Sequence, residues 1–291
     1  MSQCTISPVP VSVNLLTSTG MLCGMRWGSP GKVPILALHG WLDNAASFSC
    51  LGPLLVNADF VAIDLPGHGY SDHRHVGNHY HFIDYIPVVL EAIKELGWAR
   101  CLLLGHSLGA AIATFVAAVE PDRIYGLFLI DGLGPHSEPI GNAPGRLKRS
   151  IRKFNSFPKS TTATYPNIEV MIEARHQAGQ LSKRAAELLV ARNTIKVNNR
   201  FRWRTDPRLL FPSPQYMIEE EVLSFLRAIE APVALGIASD GFLKGRQETE
   251  GRINAFLEID VIELTGNHHV HLDDPQLVAR AINHFIATVD R

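Results

Sequence analysis

The chain has 291 residues, 46% of them hydrophobic and 19% charged, with a formal net charge of −1. That balance supports a sizeable buried core and gives no electrostatic reason for nucleic acid or an anionic membrane to be a main partner. No stretch reaches the ~18–20 uninterrupted apolar residues of a membrane span, and the N-terminus lacks the basic start and apolar core of a secretory signal. Cys4, Cys23, Cys50 and Cys101 form no C-x-x-C pair and read as reduced thiols, so a cytoplasmic protein is expected.

Two apolar runs, residues 9–16 and 21–27, flank Thr17-Ser18-Thr19-Gly20 and predict an antiparallel hairpin. Further near-continuous apolar runs lie at residues 33–38, 60–63, 101–104, 124–130, 233–237 and 261–264. Strands of that kind are covered on both faces. Helical patterns alternate with them at residues 45–56, 81–96, 108–119, 245–256 and 275–289. The alternation predicts an α/β fold with a mainly parallel, eight-stranded sheet flanked by helices. The rhythm breaks between residues 133 and 227, where a Gly/Pro-rich linker precedes helical patterns at 146–154, 168–179 and 182–192. Residues 195–204 read as a hairpin or loop, and Ser213-Pro214 as the start of a helix over 215–229. The expected organisation is therefore a core of residues 1–132 and 228–291, with a helical cap of residues 133–227 inserted after the sixth strand.

Gly105-His106-Ser107-Leu108-Gly109 joins the run 101–104 to the small-residue helix that follows. A G-x-S-x-G between strand and helix is a nucleophile elbow, with glycines where side chains would strike the neighbouring strand or helix. Ser107 is then the nucleophile. A serine hydroxyl needs a histidine to take its proton, an acid to orient that histidine, and an oxyanion hole. The loop Gly266-Asn267-His268-His269-Val270-His271-Leu272-Asp273-Asp274-Pro275 supplies the base: His268 on the H-x-x-[HQ]-x-[DE]-x-P register, with His269 as the competitor. Two aspartates compete as the acid. Asp131 ends the sixth strand, and the alternative, Asp240, follows the seventh. The backbone N–H groups of Leu108 and of Trp41, in His39-Gly40-Trp41-Leu42-Asp43-Asn44, are the expected oxyanion donors. Asp64-Leu65-Pro66-Gly67-His68-Gly69-Tyr70-Ser71 reads as a structural turn. His73, His75, His79 and His81 lack a ligand spacing, and Arg146, Lys148, Arg149, Arg152 and Lys153 read as a solvated helix face. No metal and no cofactor are expected.

With these segments together, the chain resembles the α/β-hydrolase superfamily over nearly its whole length. More narrowly, it resembles serine-hydrolase-like proteins in residues 39–48 and 266–271. The resemblance implies a serine hydrolase acting on a small or medium carboxylic ester, with no nucleic-acid partner. It also favours Asp131 over Asp240, because relatives of this type carry a carboxylate at the former position and often lack one at the latter. Thioester, lactone or C–C bond hydrolysis, and a non-catalytic binding protein on the same fold, are the alternatives it leaves.

Overall fold

Side chains alternate sides along a strand, so a strand that is apolar throughout must find cover above and below. A computed structural model describes residues 9–156 and 163–289 and shows how this chain provides that cover. The strands are β1 (Val11–Thr17), β2 (Gly20–Gly28), β3 (Val33–Leu38), β4 (Ala58–Ile63), β5 (Cys101–His106), β6 (Ile124–Ile130), β7 (Thr194–Val197), β8 (Arg200–Trp203), β9 (Val233–Asp240) and β10 (Ile259–Asn267). Eight of them form one sheet in the order β1-β2-β4-β3-β5-β6-β9-β10. β2 runs antiparallel to both β1 and β4, and every other neighbouring pair in the sheet is parallel. This is the eight-stranded, mainly parallel sheet that the apolar runs predict.

The helices are α1 (Tyr85–Glu95), α2 (Leu108–Val119), α3 (Ala143–Asn155), α4 (Ile168–Gly179), α5 (Lys183–Asn193), α6 (Glu219–Arg227), α7 (Gln247–Ile253), the short α8 (Val270–Asp273) and α9 (Pro275–Val289). Leu36, Leu38, Leu103, Leu127 and Leu129 pack on one face of the sheet with α1, α2 and α6. Their strand neighbours Ile35, Ala37, Leu102, Leu104 and Phe128 pack on the other face with Phe48 and α9. The two cores are thus separated by strand periodicity alone.

The expected helix over 45–56 is instead two single 3-10 turns, Ala45–Phe48 and Gly52–Leu54. Pro53 breaks the helical ladder, and Gly52 lies so close to the Trp27 ring that a Cβ would sit 2.7 Å from it. The helix expected from Ser213-Pro214 starts later, at Glu219. Ser213 Oγ–H donates to the Gln215 carbonyl at 2.6 Å, closing a local turn, and Glu221 accepts the Ile218 N–H at 2.9 Å to begin α6. Residues 194–203 form the β7–β8 hairpin. Cys23 and Cys101 are free thiols, but Cys50 is disulfide-bonded, which corrects the expectation of reduced cysteines; Cys4 lies outside the described residues. Among the described residues no helix is long and apolar enough to cross a membrane.

Between β6 and β9 the chain leaves the sheet and returns as α3, α4, α5, the hairpin and α6. Buried polar contacts tie this excursion to the loops after β3 and β4. Asn44 Nδ2 donates to the Leu189 carbonyl at 2.9 Å, and Arg175 pairs with Asp43 at 2.5 Å. Arg192 pairs with Asp64 at 2.8 Å. Asp64 is fully buried and also accepts the Ala45 and Tyr70 amides at 2.7 and 2.8 Å. Asp64→Ala would orphan both amides and leave Arg192 as an uncompensated, largely buried charge. A loss of about 3–5 kcal/mol is expected by urea unfolding. Glu258→Ala, at an exposed position, should stay within about 0.5 kcal/mol of the parent.

Candidate active site

In a parallel sheet the loops after the strands gather at one edge, and ligands bind there. Here β3, β5, β6 and β10 deliver to that edge His39-Gly40-Trp41, Ser107, Asp131 and His268 respectively. β5 and β6 are neighbours with His106 opposite Ile130, so Ser107 and Asp131 leave the sheet side by side.

Ser107 sits between β5 and α2 with φ 52° and ψ −111°, a conformation that L-residues rarely adopt. Its N–H donates to the Ile130 carbonyl at 3.1 Å, which holds the turn from below. The glycines around it have no room for a side chain. A Cβ on Gly105 would lie 2.5 Å from the Ala110 backbone, and one on Gly109 would lie 1.9 Å from the Leu38 carbonyl oxygen. A Cβ on Gly132 would lie 2.6 Å from the Ser107 carbonyl oxygen. Leu42 and Asp131 are also non-glycine residues at positive φ, 62° and 43°. Backbone strain of this kind persists only where surrounding structure enforces it, and it gathers at functional sites.

His268 Nε2 lies 3.0 Å from Ser107 Oγ, and His268 Nδ1 lies 2.6 Å from Asp131 Oδ2. A carboxylate accepts only, so Nδ1 carries the hydrogen and Nε2 presents a lone pair to the serine hydroxyl. Asp131 is fully buried. Burial alone would raise its pKa, but hydrogen bonds from His268 and from the Phe242 N–H (2.5 Å) outweigh that and hold the carboxyl below the usual carboxylate range. The Ala238 and Leu243 amides approach the other oxygen at 3.4 Å. Asp240 stands apart: it is exposed at the end of β9, and its side chain accepts from Ser239 Oγ at 3.0 Å. The structure thus brings Ser107, His268 and Asp131 together and leaves Asp240 outside. His269, the competing histidine, turns towards Asp43 instead, with Nε2 at 3.4 Å from Oδ2.

Trp41, Ser107, Leu108 and Phe242 line one cavity of about 740 Å³. Leu133 to His136, Arg208, Leu209 and Phe211 to Met217, from the excursion after β6, form much of its remaining wall. The Trp41 ring is fixed by its Nε1–H donating to the Leu209 carbonyl at 3.2 Å. Leu108 is the first residue of α2, so its amide has no acceptor within the helix and lies at the positive end of the helix dipole.

His39, His68, His106, Asp43 and Arg175 carry no catalytic role in the sequence motifs, and the fold buries all five to a large degree. His39 donates from Nδ1 to the Gly40 carbonyl at 2.7 Å and accepts the Leu65 N–H on Nε2 at 2.9 Å. His68 donates to the Pro66 carbonyl at 3.1 Å and accepts the Leu42 N–H at 3.3 Å. Each neutral ring therefore clamps two loops. Burial lowers their pKa values to about 4 for His39 and about 3 for His68. His-Gly after a strand was the legible signal for His39; His68 lay in plain view inside the turn at residues 64–71.

A model of the alpha/beta hydrolase fold family matches residues 33–163. The chain is 30% identical to a serine hydrolase-like protein of Danio rerio, over 92% of this chain and 85% of the relative. A solved hypothetical protein from Pseudomonas aeruginosa PAO1 superposes with a TM-score of 0.89 at 37% identity, covering 95% of this chain and 98% of that one. The thioesterase domain from the curacin biosynthetic pathway superposes with a TM-score of 0.84 at 25% identity, covering 94% and 98%.

The clamp histidines make stability depend on pH. Unfolded histidines titrate near 6.5, whereas folded His39 and His68 refuse the proton until about 4 and about 3. The unfolded chain therefore binds more protons as the pH falls, so their stabilising effect is complete above 6.5 and declines through the window below it. Urea midpoints should be lower at about pH 5 than at about pH 7.5, and His68→Gln should shrink that difference.

Proposed function

The chain belongs to the α/β-hydrolase superfamily, and from that premise we propose a serine hydrolase that cleaves small to medium carboxylic esters through an acyl-enzyme. The observation that carries the reading is the chain of contacts from Ser107 Oγ to His268 (3.0 Å) and from His268 to Asp131 (2.6 Å), opening on the 740 Å³ cavity. Ser107 attacks the ester carbonyl while His268 Nε2 takes its proton. Asp131 keeps the Nδ1–H in place and stabilises the imidazolium that forms. The Leu108 and Trp41 amides receive the developing oxyanion, where a helix N-terminus favours negative charge. His268 then returns the proton to the leaving alkoxide, and water repeats the sequence to release the acid.

In this reading residues 133–227 act as a cap over the core of residues 1–132 and 228–291. The cavity wall supports this, because the excursion supplies the side facing Ser107. Largely apolar neighbours such as Phe82, Leu133 and Phe211 suit an acyl chain. No cofactor takes part. Thioesters are a second substrate class, favoured by the likeness to a thioesterase domain. The expected cytoplasmic setting loses one support, since Cys50 is disulfide-bonded.

A fluorophosphonate probe should label the folded protein and not Ser107→Ala; absence of labelling on the parent would overturn the reading. On a p-nitrophenyl ester series, Asp131→Asn should lower kcat on the order of 10⁴-fold. Asp240→Asn should leave it unchanged. The reverse pattern would move the acid to Asp240.

A further inference from the structure

His106 lies between Gly105 and Ser107, yet its ring is absent from the cavity wall and fully buried. Its Nε2 is 2.8 Å from the His268 carbonyl oxygen, and its Nδ1 is 3.6 Å from Asp43 Oδ2. Both neighbours are acceptors, and a neutral imidazole has one N–H to give. The short contact to the carbonyl needs that hydrogen on Nε2. The Nδ1 lone pair then faces a carboxylate oxygen across a buried gap, and neither atom has a hydrogen-bond partner. His269 Nε2 converges on the same oxygen at 3.4 Å. The three ligand atoms all lie within 4.8 Å of one another.

We propose that Asp43 Oδ2, His106 Nδ1 and His269 Nε2 form a binding site for a divalent transition-metal cation of the zinc class. Ligand atoms about 2.0–2.2 Å from a tetrahedral zinc ion stand roughly 3.4 Å from each other, close to the two separations seen here. Two imidazole nitrogens and one carboxylate suit zinc and its neighbours, not calcium or magnesium, which take oxygen ligands. Gly40 leaves the space open: a Cβ there would lie 2.8 Å from His106 Nδ1 and 3.0 Å from Asp43 Oδ2. Two of the three ligands are supported from behind, while His269 Nδ1 is buried without a hydrogen-bond partner. The second nitrogen of His106 donates to a backbone carbonyl, and the second oxygen of Asp43 is held by Arg175 Nη2 at 2.5 Å. The guanidinium weakens the attraction for a dication without occupying a ligand atom.

The site stands 4.7 Å, ring to ring, from His268 and is separate from the contacts that His268 makes with Ser107 and Asp131. It needs none of the hydrolytic reading, and its test is independent of activity. The full chain, stripped with a chelator and free of any polyhistidine tag, is titrated with zinc chloride by calorimetry and with cobalt chloride by visible absorption. One equivalent should bind, with cobalt d–d bands that the free ion in buffer does not show. His269→Ala and His269→Gln should each weaken binding at least about tenfold, the scale on which even supporting residues matter. Gly40→Ala should weaken it with every ligand retained. Ser107→Ala and His268→Ala should bind as the parent does. Absence of stoichiometric binding would overturn the proposal. Binding that survives both His269 variants, or that is lost with His268→Ala, would overturn it as well.

Discussion

The close approach of α2 to β3 is the contact on which the rest of the site depends. Gly109 lies against the Leu38 carbonyl at a separation that admits no side chain, and Gly105 does the same against the first turn of α2. One residue, Ser107, is left between the end of β5 and the start of α2, and it takes a positive φ. Everything functional follows from that geometry. The serine is presented at the sheet edge, Leu108 at the start of α2 lines the same cavity, and the neighbouring strand β6 ends where its aspartate can stand behind the histidine. The apolar burial that holds α2 on the sheet supplies the force that keeps the strained residue in place.

Much of this was legible because it is written in local pattern. Continuous apolar runs mark strands buried on both faces, and the ends of α2, α4 and α9 coincide with their periodicity. The elbow glycines announce the turn because only glycine tolerates both close approaches. The placement of Asp131, and not Asp240, beside His268 is of another kind. That carboxylate is held by amides contributed from far along the chain, those of Phe242 and Leu243, and is packed so closely against Gly241 that a Cβ there would lie 2.3 Å from it. No local signal carries that information; the resemblance pointed to Asp131 without supplying the reason. The helix expected over residues 45–56 failed for a related cause. Its apolar spacing served burial against Trp27 and His271, with Pro53 interrupting the ladder.

The excursion after β6 is held to the core through charge as much as through apolar contact. Arg175 and Arg192 leave α4 and α5 to meet Asp43 and Asp64, both carboxylates being fully buried. A buried ion pair is a poor source of net stability, since desolvation offsets most of the attraction. It does penalise other placements of the helices, because any shift leaves a charge unpaired. The cavity depends on that placement, since the segment from Arg208 to Met217 forms part of its wall and the Leu209 carbonyl fixes the Trp41 ring.

Histidines do two kinds of work beneath this edge, and their partners distinguish them. His39 and His68 each find one donor and one acceptor, so a single proton satisfies the ring and burial costs little. His106 finds two acceptors, and no single proton can satisfy it. Hydrogen bonding in a folded interior is close to complete, so a fully buried ring left in that position is an exception that a cation at Nδ1 would remove. The convergence of His269 on the same carboxylate oxygen, over a glycine that keeps the space clear, argues for the cation. On that view the residue between Gly105 and Ser107 belongs to two sites: its backbone shapes the elbow that presents the serine, and its ring ties the carbonyl of His268 to a separate centre behind it.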